Sequence, residues 1–163
     1  MHIGAHVSIA NGIQYAPQRA SKLNCEAMQI FTRSPQGGKA PELTSEIISA
    51  FKENCHKFNI SNTYIHAPYY INFASTNNRI RYGSASVVRD ELERGSKINA
   101  KYVMTHLGSA GKLTTEEAFK KTSQMLKKSL NGYHEKTRLL LENSAGAGKI
   151  IGDSLSELAK IIE

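Results

Sequence analysis

His66, His106 and Glu142 are side chains of metal-ligating type, and each closes a short apolar run: Tyr64-Ile65-His66-Ala67-Pro68, Met104-Thr105-His106-Leu107-Gly108 and Leu140-Leu141-Glu142-Asn143. Two imidazoles and a carboxylate suit zinc or another divalent transition metal and leave a coordination position for water or substrate. Taken singly, each histidine reads as a satisfied polar group and the glutamate as a surface carboxylate. Glu142 resists that reading, because it follows Leu139, Leu140 and Leu141, and an ionised carboxylate beside such a run needs a partner. His6 ends a similar run, Gly4-Ala5-His6-Val7-Ser8, and is expected to line the same mouth as a packed or hydrogen-bonded histidine. His56 and His134 fall in helical surroundings and are expected in solvent. The glycines of Ala145-Gly146-Ala147-Gly148-Lys149 fit neither a phosphate loop nor a dinucleotide turn, since Asn143, Ile150 and Ile151 stand where those motifs need other residues. A tight loop beside the metal site is the better account.

For these three residues to meet, their runs must be neighbouring strands with a common direction. The pattern supplies this, because short apolar runs at 3–7, 27–31, 63–67, 102–106 and 139–142 alternate with segments of helical period. Ile47, Phe51, Cys55 and Phe58 recur at helical spacing, as do Phe119, Thr122, Leu126, Leu130 and Tyr133. Thr114 precedes Glu117, and Ser154 precedes Glu157, by the three residues of a capping box, which marks two helix starts. The segment 34–41 is the most loop-like stretch and follows the second run. Parallel β/α units of this kind build either an open doubly wound sheet or a barrel, and both place functional residues at the strand C-termini. A complete (β/α)8 barrel takes roughly 250 residues. The chain is therefore expected to form an α/β domain over 1–163; if its units belong to a TIM-type (β/α)8 barrel, they are about five of the eight, its N-terminal part.

Composition sets outer limits. The chain has 163 residues, 40% of them hydrophobic and 21% charged, within the range of folded globular domains and outside that of disordered or coiled-coil chains. At this length a core forms without disulfides or a structural metal. Cys25 and Cys55 lack any paired spacing, so free thiols and a cytoplasmic setting are expected. No segment approaches the roughly 18 apolar residues of a membrane span, and no membrane partner is expected. The formal charge of +7 biases the protein towards polyanions.

Several segments together resemble the endonuclease IV (deoxyribonuclease IV) family of zinc-dependent apurinic/apyrimidinic endonucleases, AP endonuclease family 2. They are Ile3-Gly4-Ala5-His6-Val7-Ser8, Phe31-Thr32 with its loop, His66-Ala67-Pro68-Tyr69-Tyr70-Ile71-Asn72, His106-Leu107-Gly108-Ser109 and Leu141-Glu142-Asn143-Ser144-Ala145-Gly146. The resemblance implies a (β/α)8 barrel with up to three zinc ions, and hydrolysis of the phosphodiester 5′ to an abasic site in double-stranded DNA, leaving a 3′-hydroxyl. It implies that His66 and His106 ligate one zinc and that Glu142 bridges it to a second as the catalytic carboxylate. Tyr69 resembles the tyrosine that enters DNA near the lesion, where a ring replaces lost stacking.

Departures from that pattern are equally specific. The family's loop after the second strand carries an arginine and a tryptophan that probe DNA, whereas Gln36 and Gly38 stand there, with Arg33 and Lys39 the nearest cations. Arg33 and Gln36 are the DNA contacts expected of this loop. The family's remaining ligands lie on later strands, so the residues here suffice for one zinc and a bridge, and the chain reads as an incomplete fragment of doubtful activity alone. Two other readings compete: a sugar isomerase or epimerase of the xylose isomerase-like barrels, and a non-catalytic nucleic-acid-binding module. The sequence leaves oligomeric state open.

Overall fold

The computed structural model describes residues 1–163 as five strands, each followed by a helix. The strands are β1 (Gly4–His6), β2 (Ala27–Ile30), β3 (Asn62–His66), β4 (Tyr102–Thr105) and β5 (Arg138–Leu141). The helices are α1 (Ala16–Lys22), α2 (Ser45–Lys57), α3 (Asn78–Lys97), α4 (Thr115–Leu130) and α5 (Leu155–Ile162). All pairings are parallel and the spatial order is β1-β2-β3-β4-β5, so each of the first four helices is a crossover to the adjacent strand. These are the five parallel β/α units that the sequence pattern implies, in the order of the partial barrel that the family resemblance implies. No helix is long and apolar enough to cross a membrane.

Local chemistry fixes the helix boundaries. The Thr44 and Ser154 hydroxyls accept from the backbone N–H three residues on, and the Asn77 side chain accepts from Arg79 and Ile80 N–H. At α4 the full capping box forms between Thr114 and Glu117. At α5 it does not, because the Glu157 carboxylate accepts from Gly152 N–H at 2.9 Å instead of reaching Ser154. That bond ties the loop after β5 to its helix. Tyr133, read as part of the helical stripe, lies beyond α4, where its hydroxyl donates to the Leu92 carbonyl at 3.1 Å.

Three helices end in the same way. Lys22-Leu23-Asn24-Cys25, Lys57-Phe58-Asn59-Ile60 and Lys97-Ile98-Asn99-Ala100 each place an asparagine at φ between 54° and 58°, a conformation asparagine tolerates better than most residues. The next N–H donates back to the carbonyl five residues earlier, from Cys25 to Ala20 at 3.0 Å, Ile60 to Cys55 at 2.9 Å and Ala100 to Gly95 at 2.9 Å. The lysine completes the helix where the macrodipole favours a cation. Strands β2, β3 and β4 start two residues after each tetrad, so one motif sets where three strands enter the sheet.

Alternation along the strands then divides the sheet into two faces. Met28, Ile30, Thr63, Ile65, Val103 and Thr105 are buried beneath the helices, with Phe51, Val88 and Leu92 among the fully enclosed side chains packed on them. Gln29, Tyr64, Tyr102 and Met104 are half-buried on the other face, where the Tyr64 and Tyr102 rings stack with centroids 5.9 Å apart. Two residues further along this inner face stand His66 and His106, and Glu142 follows Leu140 by the same step. Parity and parallel direction thus bring the three candidate ligands to one end of one face.

Candidate metal centre

Backbone pairing continues past the strand ends and fixes the three residues relative to one another. Ala67 N–H donates to the Met104 carbonyl at 2.8 Å, and Glu142 N–H donates to the Thr105 carbonyl at 3.0 Å. Glu142 Oε2 lies 3.2 Å from His66 Nε2 and 3.5 Å from His106 Nδ1, and the ligand atoms of all three fall within 4.8 Å of one another. His66 is buried, while His106 and Glu142 are half-buried. His66 Nδ1–H donates to the Ala67 carbonyl at 2.6 Å, which leaves Nε2 as the nitrogen with a free lone pair.

Two observations bear on whether these residues suit a cation. Glu142 Oε2 is a buried oxygen without a hydrogen-bond partner, a costly state for a carboxylate. Ligands about 2.0–2.1 Å from a tetrahedral ion stand roughly 3.4 Å apart. The spacings of 3.2 and 3.5 Å meet that requirement. The donor set therefore fits a divalent metal.

Aromatic rings surround the cluster. Phe31 packs edge-on against His66 with centroids 5.4 Å apart, and His66 and His106 meet edge-on at 5.1 Å. Tyr69 touches Phe31 and His66 edge-on and keeps 61% of its surface exposed, so its ring stands at the rim. His6 lines the same mouth, with its ring 4.5 Å from Phe31 and its Nδ1 2.9 Å from Gln29 Oε1. Beside His106 opens a groove of about 460 Å³ lined by Tyr69, Tyr70, Ser109, Ser144 and Ile150 among others. Gly108 shapes its floor, because it has φ +95° and a Cβ there would stand 2.5 Å from Asn72 Cα. His56 and His134 lie outside the cluster, on or beyond helices, and both are exposed.

The loop after β2 departs from expectation. Gln36 lies on it with Gly37 and Gly38, but Arg33 is buried, with its guanidinium paired to Glu91 and Asp90 of α3. Burial works against the Arg33 charge, yet Glu91 and then Asp90 outweigh it and hold its pKa above the usual arginine value. The Arg33 guanidinium is thereby engaged within the protein by two carboxylates of α3. Arg94 is also buried, and burial lowers its pKa. It donates to the Thr32 hydroxyl at 2.7 Å, the Thr32 carbonyl at 2.8 Å and the Pro41 carbonyl at 2.9 Å, closing both ends of the loop. Sequence reasoning missed Glu91 and Arg94, whose only signal is charged residues on the inner side of a helix.

A family model described as a xylose isomerase-like TIM barrel matches residues 17–163. A probable endonuclease 4 of Natranaerobius thermophilus is 36% identical over 163 residues, covering 100% of this chain and 57% of that protein. The apurinic-apyrimidinic endonuclease 1 of Plasmodium berghei is 33% identical, over 99% of this chain and 32% of that protein. Among solved structures, endonuclease IV from Thermus thermophilus superposes with a TM-score of 0.85 at 28% identity, over 98% of this chain and 59% of that one. A D-tagatose 3-epimerase-like protein superposes with a TM-score of 0.74 at 19% identity, over 99% of this chain and 60% of that one, a likeness of fold. The chain spans 57% of the length of the first of these relatives.

Proposed function

The chain belongs to the AP endonuclease family 2 of xylose isomerase-like TIM barrels, and from that premise we propose that His66, His106 and Glu142 form part of the zinc centre of a DNA repair endonuclease. The reaction is hydrolysis of the phosphodiester 5′ to an abasic site in duplex DNA, leaving a 3′-hydroxyl. The observation that carries this reading is the buried, unpartnered Glu142 Oε2 facing two imidazole nitrogens at 3.2 and 3.5 Å, at the strand C-termini. Its support is the 36% identity to a protein named as a probable endonuclease 4. The epimerase likeness, at 19% identity, speaks for the barrel alone.

Each residue's part follows from its place. His66, fixed by its bond to the Ala67 carbonyl, presents Nε2 towards Glu142, and His106 presents Nδ1 from the next strand. Glu142 places Oε2 between them, and with His66 and His106 it would hold the metal, its carboxylate being the group that would bridge to a second. Zinc bound there would supply Lewis acidity at the scissile phosphate. Tyr69, exposed beside the cluster, serves as the ring that fills the space of the missing base, and Gln36 is the polar contact left on the loop whose arginine is buried. The chain contributes five β/α units, residues 1–163, to the barrel.

The test is incision of a duplex containing one abasic site, with zinc and again with chelator. Cleavage 5′ to the site that chelator abolishes, and that Glu142→Gln lacks, is expected. Cleavage unaffected by chelator, or Glu142→Gln cleaving as well as wild type, would overturn the catalytic reading of these residues.

A further inference from the structure

The groove beside His106 has an aromatic wall, Tyr69 and Tyr70, and a second wall built by the loops after β4 and β5. Those two loops are joined to each other by hydrogen bonds. Ser109 and Ile150 pair as an isolated antiparallel bridge, and the Lys149 carbonyl accepts from Ala110 N–H at 2.9 Å and from the Ser109 hydroxyl at 3.0 Å. Ile151 N–H donates to the Gly108 carbonyl at 3.0 Å, and Ser144 N–H to the Gly152 carbonyl at 2.8 Å. Each loop springs from a strand that ends in a candidate ligand, so the ridge is held in fixed relation to His106 and Glu142.

Two cations stand on this ridge, Lys112 and Lys149. Both are exposed and neither has an ion-pair partner. The carboxylate of Glu117, on the helix that follows Lys112, is engaged by the N-terminus of that helix, at 2.9 Å from Thr114 N. Elsewhere on the mouth, Arg33 is buried in its carboxylate pairs and Arg81 is tied to the Ser75 carbonyl and the Asn78 side chain, while Lys39 on the loop after β2 is exposed and unpaired like the two ridge lysines. The glycine-rich loop that carries Lys149 lacks the residues of a nucleotide-phosphate loop, so its lysine is not explained as part of one.

We infer that the bridged ridge is a second DNA contact, in which Lys112 and Lys149 hold backbone phosphates of the strand that lies along the groove. This rests on the endonuclease reading above and adds residues to it. A lysine is a mobile point charge without the planar fork that reads base edges, so the contact is independent of sequence and of the lesion. Its signature is counterion release, which makes the logarithm of affinity fall linearly with the logarithm of salt concentration, by about 0.9 per phosphate contact.

Fluorescence anisotropy on a short duplex, with and without one abasic site, measured from about 50 to 200 mM salt in the presence of chelator, isolates this effect from catalysis. Lys112→Gln and Lys149→Gln are each expected to reduce the salt slope by about one, and the double variant by about two, equally for both duplexes. Lys52→Gln, on α2, is expected to leave the slope unchanged. Wild-type binding with unaltered slopes in the double variant would overturn the ridge and leave the metal-centre reading standing. A wild-type chain that binds neither duplex would overturn the DNA reading and the ridge together.

Discussion

The Thr32 hydroxyl donates to the Glu91 carboxylate at 2.6 Å, joining the end of β2 to the middle of α3 in a place closed to solvent. Two arginines make this arrangement tolerable. Glu91 pairs with Arg33 on its other oxygen, and Arg94 uses three donors on Thr32 and Pro41. A buried carboxylate with this many partners costs little; the same arginines without it would be buried cations lacking their nearest counter-charge.

Glu91→Gln is therefore expected to destabilise the protein by about 3 kcal/mol, the lower end for breaking a buried pair, because Asp90 still faces Arg33. Urea unfolding measures this. Hydrogen exchange of residues 34–41 should accelerate in the same variant, since the loop's closure depends on Arg94 and Thr32. An unchanged midpoint would show that the network contributes nothing net.

The Lys-apolar-Asn-apolar tetrads give a second expectation. At φ +54°, Asn59 stands where a β-branched side chain is strained, so Asn59→Val should cost about 1–2 kcal/mol. Asn59→Gly should be close to neutral, because glycine adopts this conformation freely. The two unfolding midpoints, compared with wild type, check the sign of each change.

Local order is legible in the sequence, and cross-chain pairing is not. Each strand is an apolar run between helical segments, and α2 and α4 carry Phe51 and Leu126 in regular apolar stripes. The longest helix, α3, shows no such stripe, since Ser84, Glu91, Arg94 and Gly95 share its buried side with Val88 and Leu92. Arg33 reads as a free loop cation because its partner lies 58 residues away. His66, His106 and Glu142 are legible from their strand ends alone. The burial of Glu142 Oε2 is a property of three strands together, so no single segment announces it.

Acid should reveal the cap of α4. Glu117 has its pKa held below the usual carboxylate value, chiefly by the Thr114 backbone N–H and then by the Thr114 hydroxyl. A lowered folded pKa gives stability that is full above the unfolded value of 4.5 and is lost as pH falls through the folded one. Wild type should exceed Glu117→Gln in melting temperature near pH 7, and the two should converge as pH falls below 4.5 through the lowered folded value. A constant difference across that range would show that the charge is not what the cap uses.

Tyr69 should matter to binding and not to folding. Its ring is mostly exposed, so Tyr69→Ala is expected to leave the melting temperature unchanged. Its affinity for a duplex with an abasic site should weaken by about 1–3 kcal/mol, the usual loss of one stacking partner, with little change for intact duplex. Tyr69→Phe keeps the ring and should bind as wild type does. Equal losses on both duplexes would place Tyr69 among general contacts.

Metal binding to the cluster can be tested without catalysis. Zinc at about a hundred times its dissociation constant stabilises a folded protein by about 2.7 kcal/mol, which for a chain of this size raises the melting temperature by about 5–10 °C. Glu142→Gln should abolish that rise, because it removes the carboxylate charge that faces His66 and His106. Without zinc the variant should be no less stable than wild type, since the oxygen it neutralises makes no hydrogen bond. These two outcomes separate a ligand from a structural carboxylate: a structural Glu142 would lower apo stability when replaced, and the zinc-dependent rise would survive.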